Sequence, residues 1–186
     1  MPFALRTVGK LLTANDAIVK ADAAIVTPES GAAGELEAVT LFESGLVDRI
    51  ILVASKPQVA ERELLRRGID LRGARLDRLR SLGIPPEHVD TLEGGEGGTT
   101  DSTAAIATLA GRTSAQLLVI ASPSHVHRVR RALERQWPDP VSAPAVLGTR
   151  YHAFRSDDWW RERSTLREGI VEIEKLLLDY LRHPLS

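Results

Sequence analysis

The chain has no cysteine in its 186 residues, which excludes a disulfide framework, a Cys-ligated zinc or iron–sulfur site and a thiol nucleophile. It also lacks a dominant charge. With 24 Lys+Arg against 25 Asp+Glu the formal net charge is -1, so no global field recruits nucleic acid or an anionic membrane. No apolar run approaches the ~20 residues that a membrane-spanning helix needs. The first 14 residues, interrupted by Arg6 and Lys10, do not form the continuous apolar core of a signal peptide. Metal-ligand spacings such as HxxxH, HExxH or clustered Asp are missing as well, so no metal is expected.

What remains is a composition of 43% hydrophobic and 26% charged residues, that of a water-soluble globule of one domain over 1–186. The basic residues are 20 Arg and 4 Lys, a bias we ascribe to genome composition. Residues 1–20 read as a helical extension, with Leu5, Val8, Leu11 and Leu12 on one face, packed on the domain rather than lying on a membrane surface. From residue 22 short Ile/Val-rich runs alternate with longer amphipathic ones, the pattern of βα units. Strands are expected at Ala23–Thr27, Arg49–Ala54, Val89–Leu92, Leu117–Ala121 and Ala143–Leu147. Helices are expected at Glu35–Ser44, Val59–Leu82 (broken near Gly68 and Gly73), Ser102–Gly111, His125–Gln136 and Trp159–Leu181. Continuous apolar strands belong to a parallel sheet covered on both faces, so the fold class is α/β, a three-layer α/β/α sandwich. Leu166, Ile170, Ile173, Leu177 and Leu181 form one stripe on the last helix, expected to dock on the sheet or, failing that, on a second copy of the chain. Asp157 and Asp158 are read as the caps of that helix.

Ligands of open parallel sheets bind outside the carboxyl ends of the strands, which directs attention to three loops. Thr27–Gly34 carries Glu29, Ser30 and Gly31 ahead of a helix, an end that attracts anions unless Ser30 simply caps it. Glu93–Thr103 contains Gly94, Gly95, Gly97 and Gly98 followed by Thr99, Thr100 and Asp101. It is neither a P-loop nor GxGxxG, and its bland reading is a flexible loop ending in a Thr/Asp/Ser cap. Ser122–Arg128 holds Ser122, Ser124, His125 and Arg128; the last two are neighbours on one helical face. An imidazole titrates near neutrality and a guanidinium grips an oxyanion with two prongs. His127, between them in sequence, is expected to be exposed.

Four stretches resemble a known family. Ala21–Val26 followed by Glu35-Leu36-Glu37-Ala38 and Arg49–Val53, the segment Leu82-Gly83-Ile84-Pro85-Pro86-Glu87-His88-Val89, and Ser122-Pro123-Ser124-His125-Val126-His127-Arg128 resemble the bacterial domain-of-unknown-function family that includes YdcF, SanA and ElyC. The last matches its "TSxxHMxRA" motif at serine, histidine and arginine. Trp159-Trp160-Arg161 with Glu172 and Lys175 resembles the family's closing helix, so the likeness runs from about Ala21 to Tyr180. The departures are specific. The family's Gly-Gly turn and arginine after the first strand are replaced by Thr27-Pro28-Glu29-Ser30-Gly31, and its Asn-Thr-x-Glu-Asn falls on Thr99–Thr103 with Thr100 alone kept. The resemblance implies a Rossmann-like fold, an association with the cell envelope and S-adenosylmethionine as a candidate ligand, in a soluble, cytoplasmic member at most peripheral to the inner membrane.

The expectation that follows is a small-molecule site. His125 and Asp101 would be catalytic, and Glu29, Ser30, Gly31, Gly97, Gly98, Thr99, Thr100, Ser122, Ser124 and Arg128 would bind a nucleotide-like or phosphorylated ligand. The enzyme would be a transferase or hydrolase. The alternatives are a non-catalytic binding or regulatory module, and a scaffold using the Arg128–Arg135 face to meet an acidic partner.

Overall fold

In the computed structural model, which describes residues 2–95, 98–137 and 143–184, the apolar runs form one sheet. Its strands are β1 (Ala21–Val26), β2 (Val47–Ala54), β3 (Val89–Glu93), β4 (Leu117–Ala121) and β5 (Ala145–Gly148). They lie in the order β3-β2-β1-β4-β5, all parallel. The helices are α1 (Pro2–Leu12), α2 (Gly31–Glu43), α3 (Val59–Arg66), α4 (Leu71–Ser81), α5 (Thr99–Ala110), α6 (Val126–Gln136) and α7 (Arg163–Arg182).

Alternation along each strand sends side chains to opposite faces. Ala24, Val26, Ile50, Leu52, Leu118 and Ile120 face α2 and α4, whereas Ile25, Val53, Val119 and Ala121 face α5 and α6. Both faces being covered, β1 and β4 can be apolar on both sides, which makes the protein a Rossmann-like three-layer α/β/α sandwich. The expected break between α3 and α4 falls at Gly68, whose φ of 83° suits glycine; Gly73 stays inside α4. Asn15 and Asp16 accept backbone N–H bonds from Gly148 and Val146, so the segment after α1 covers the free edge of β5.

Several terminal details differ from the sequence expectation. The last helix begins at Arg163, with Glu162 before it, so Asp157 and Asp158 lie in a preceding turn and cap nothing. Leu11 of α1 points outward while Leu12 is buried. Only part of the expected apolar stripe of α7 becomes its docking face: Leu166 and Ile173 pack on the apolar cluster beneath, whereas Ile170, Leu177 and Leu181 are 54%, 60% and 79% exposed. The buried side is Thr165, Gly169, Glu172 and Leu176. The helix is rotated because Gly169 admits the Trp159 ring and because Glu172 is drawn inward by His125 and Arg128. Leu12, Phe154, Trp159 and Leu176 form a separate apolar cluster between α1 and α7, in which the Trp159 indole N–H donates to Leu5 O at 3.0 Å.

Candidate functional site

From β1 the chain crosses to β2, and from β4 it crosses the other way to β5. The carboxyl ends of these adjacent strands therefore flank the switch point, where open α/β sheets leave a crevice. Both strands end in the same local device. Thr27-Pro28-Glu29-Ser30 and Ser122-Pro123-Ser124-His125 are an extended residue, then a proline opening a single 3-10 turn that leads into a helix. Proline presets φ for the first turn at no hydrogen-bonding cost. The Ser122 hydroxyl donates to Glu29 O at 3.0 Å, and the Thr27 hydroxyl donates to Ile120 O at 2.9 Å. Glu29 and His125 are thereby set side by side.

His125 lies between two carboxylates. Its Nδ1 is 3.9 Å from Glu29 Oε1 and its Nε2 is 3.2 Å from Glu172 Oε2. Glu172 is wholly buried and is held on its other side by Arg128, which donates through Nε and Nη2 and reaches Thr99 Oγ1 through Nη1. Lys175, one turn along α7, stands 4.0 Å from the same carboxylate. Nδ1 of His125 is buried and has no hydrogen-bond partner among the described residues. Burial pushes the Glu29 carboxyl up, but the neighbouring His125 imidazole, together with the Glu29 backbone N–H, outweighs this and holds it below its ordinary value. Glu29, Ser55, Gly98, Thr99, His125 and Arg128 line a cavity of about 440 Å³, with Lys175 at its rim.

The tertiary structure thus brings Glu29, Gly98, Thr99, His125 and Arg128 together and disperses the remaining sequence candidates. Gly31 lines an adjacent cavity, and Thr100 faces the opposite side of Arg128. Asp101 lies against Gly95, and it is not among the residues around the His125 cavity. Ser30, Ser122 and Ser124 are buried, and their hydroxyls are committed to Thr27 O, Glu29 O and Glu168. Ser30 therefore does not cap α2, and α5, preceded by Gly98, has no side-chain cap either. Gly97 and Glu96 fall outside the described residues. Arg128 bonds to Glu172 and Thr99 while also lining the cavity. Among the described residues, no group of three or more acidic or histidine side chains is arranged to hold a metal ion.

Glu172 is the site residue that sequence reasoning missed as a functional group. The available signal was a glutamate inside the apolar run Ile170-Val171-Glu172-Ile173, where a solvated face would be polar on both flanks. Glu35 and Glu37 on α2 carry the same signal: both are buried, Glu35 against Arg75 and Arg78, Glu37 against Arg150.

His127 is half-buried, not exposed. Its Nε2 lies 3.0 Å from the Tyr180 hydroxyl, and the Arg131 guanidinium stacks on the Tyr180 ring. Burial chiefly, with Arg130 and Arg131 adding and Asp179 opposing, lowers the His127 pKa below its ordinary value. The unfolded chain then takes up this proton first as pH falls, so stability declines below about pH 6.5. We expect urea unfolding at pH 7.5 and 5.5 to show a smaller loss of stability in His127→Gln than in the wild type; equal losses in both would refute the assignment.

No protein-family model and no curated protein matches the chain. Among solved structures it is similar to the crystal structure of the aureusimine biosynthetic cluster reductase domain, with 9% sequence identity and a TM-score of 0.31. The match covers 90% of this chain, which spans only about half of that one (53%).

Proposed function

We propose that the His125 cavity binds a phosphorylated or nucleotide-like small molecule and that His125 moves a proton there, as in a transferase or hydrolase. The observation that carries this reading is the state of the imidazole: one nitrogen faces a buried, arginine-anchored carboxylate and the other, 3.9 Å from Glu29, has no hydrogen-bond partner among the described residues, at a cavity above the switch point. A carboxylate that fixes one ring nitrogen sets the tautomer, leaving the other to give or take a proton. In this reading Glu172 is the positioning residue, and Arg128 holds Glu172 rather than the ligand. Lys175 and the uncapped N-terminus of α5 at Gly98 and Thr99 attract the anionic group. The resemblance to the YdcF, SanA and ElyC family supports the same loops and puts S-adenosylmethionine among the ligands to try.

A non-catalytic binding module is the second reading, favoured by the position of Asp101 against Gly95, outside the cavity lining. The test is a thermal-shift screen against S-adenosylmethionine, nucleotides, sugar nucleotides and polyprenyl phosphates, with Lys175→Ala and His125→Ala alongside the wild type. A ligand at 100 times its dissociation constant adds roughly 2.7 kcal/mol. A shift that shrinks in Lys175→Ala, with turnover lost in His125→Ala, supports the enzyme. Binding without turnover supports the module, and a shift untouched by either substitution overturns the site.

A further inference from the structure

Beside the His125 cavity, and sharing only Pro28 and Ser55 with it, lies a second one of about 400 Å³. It opens beyond the carboxyl end of β2, between α2 and the α3–α4 pair. Its lining is of two kinds. Leu65, Ile69 and Leu71 are 54%, 49% and 45% exposed although they are large aliphatics on consecutive segments. Arg72, Arg75 and Arg78 of α4 line it as well, with Lys56.

The carboxylates around this cavity are already engaged. Glu35 is enclosed by Arg75 Nε at 2.7 Å and Arg78 Nε at 2.6 Å. Glu61 accepts from the Gln58 N–H in the capping box of α3, and Asp70 accepts from the Arg72 N–H as the cap of α4. Arg72 is spent on Glu93 and Ser55 O. Arg75 is different. Its Nε serves Glu35 and its Nη1 donates to Val53 O at 2.9 Å, but its Nη2, buried, has no hydrogen-bond partner among the described residues. Leaving a guanidinium donor buried and unpaired is costly, and an anion is the partner that a guanidinium accepts best. The aliphatic residues of the same lining have their own unmet requirement, apolar contact.

We propose that this cavity is a binding site for an amphiphilic anion: a phosphate or carboxylate seated at Arg75, joined to an apolar body that covers Leu65, Ile69 and Leu71. The site shares no charged side chain with the His125 cavity, so it stands or falls separately from the function proposed there.

The test titrates the full chain with inorganic phosphate, butyl phosphate, butyrate and butylammonium, read by amide and arginine Nε–H resonances. Butyl phosphate is expected to shift Gly31, Leu71 and Arg75 and to bind at least tenfold more tightly than inorganic phosphate, each buried methylene being worth about fourfold. Butylammonium should not bind. Arg75→Lys keeps a cation beside Glu35 and removes Nη2, and is expected to weaken butyl phosphate about tenfold or more. Leu65→Ser, on the exposed wall, should weaken butyl phosphate and leave inorganic phosphate unchanged. Comparison with butyrate tells a phosphate site from a carboxylate site. Shifts confined to Thr99, Ser102 and His125 would overturn this site while supporting the His125 reading. Equal affinity for butyl and inorganic phosphate, or for the cation, would overturn it outright.

Discussion

Glu172→Ala is expected to destabilise the protein by about 3 kcal/mol, because it removes one partner of a buried ion pair and leaves the other uncompensated. Arg128 is only 13% exposed and makes two of its contacts to this carboxylate. Without it the guanidinium, which lines two cavities beside α7, keeps only Thr99 and water as partners. His125 loses the group 3.2 Å from its Nε2 at the same time, so any turnover should fall together with stability. Glu172→Gln separates the two effects. It keeps the shape and an acceptor oxygen but not the charge, so it should retain more stability than Glu172→Ala while still impairing proton transfer. Urea denaturation of both variants, with ligand binding scored separately, checks this. A Glu172→Ala protein as stable as the wild type would show that the Arg128 contact contributes nothing net.

Gly169→Ala is the second large effect, expected to cost about 3 kcal/mol through overpacking. A Cβ at this position would overlap Cε3 and Cζ3 of Trp159 and stand 3.3 Å from Cε2 of Phe154. Trp159 has no room to retreat. It is 2% exposed, stacks on Phe154 and is tethered by its indole N–H to Leu5 of α1. Relief therefore requires α7 to lift, which would also draw Glu172 away from His125. The expected signature is a lower melting temperature together with changed tryptophan fluorescence and weaker ligand binding. An unchanged melting temperature would mean that the α1–α7 cluster is loosely packed.

The ranges of the strands and helices were legible because their signal is local. Ile25-Val26, Ile50–Val53 and Leu117–Ile120 are apolar on both faces, and that pattern alone demands a sheet covered twice. The loops at Thr27–Gly34 and Ser122–Arg128 were legible as site loops because a parallel sheet has only one end at which ligands bind. The last helix shows where such reading stops. Three of the five residues of its apolar stripe face outward, and its buried side carries a glycine and a glutamate. Periodicity counts hydrophobic residues, but Gly169 is buried for its lack of a side chain and Glu172 for its charge partners.

The α/β/α layering, the run of the strands, the end of the sheet at which a ligand is expected, and His125 and Arg128 as candidates there could thus be read from the residues alone. The contacts those candidates make could not. Arg128 became the anchor of Glu172, Glu29 came to stand beside the imidazole, Asp101 lay against Gly95 instead, and Arg75 was left with an unpaired nitrogen beside an aliphatic wall. Apart from the local contact of Asp101 with Gly95, these outcomes depend on pairings across 40 or more residues, such as His125 with Glu172 and Arg75 with Glu35. Such long-range pairs are set by how helices rotate and dock on the sheet, and no local pattern of residues encodes that rotation.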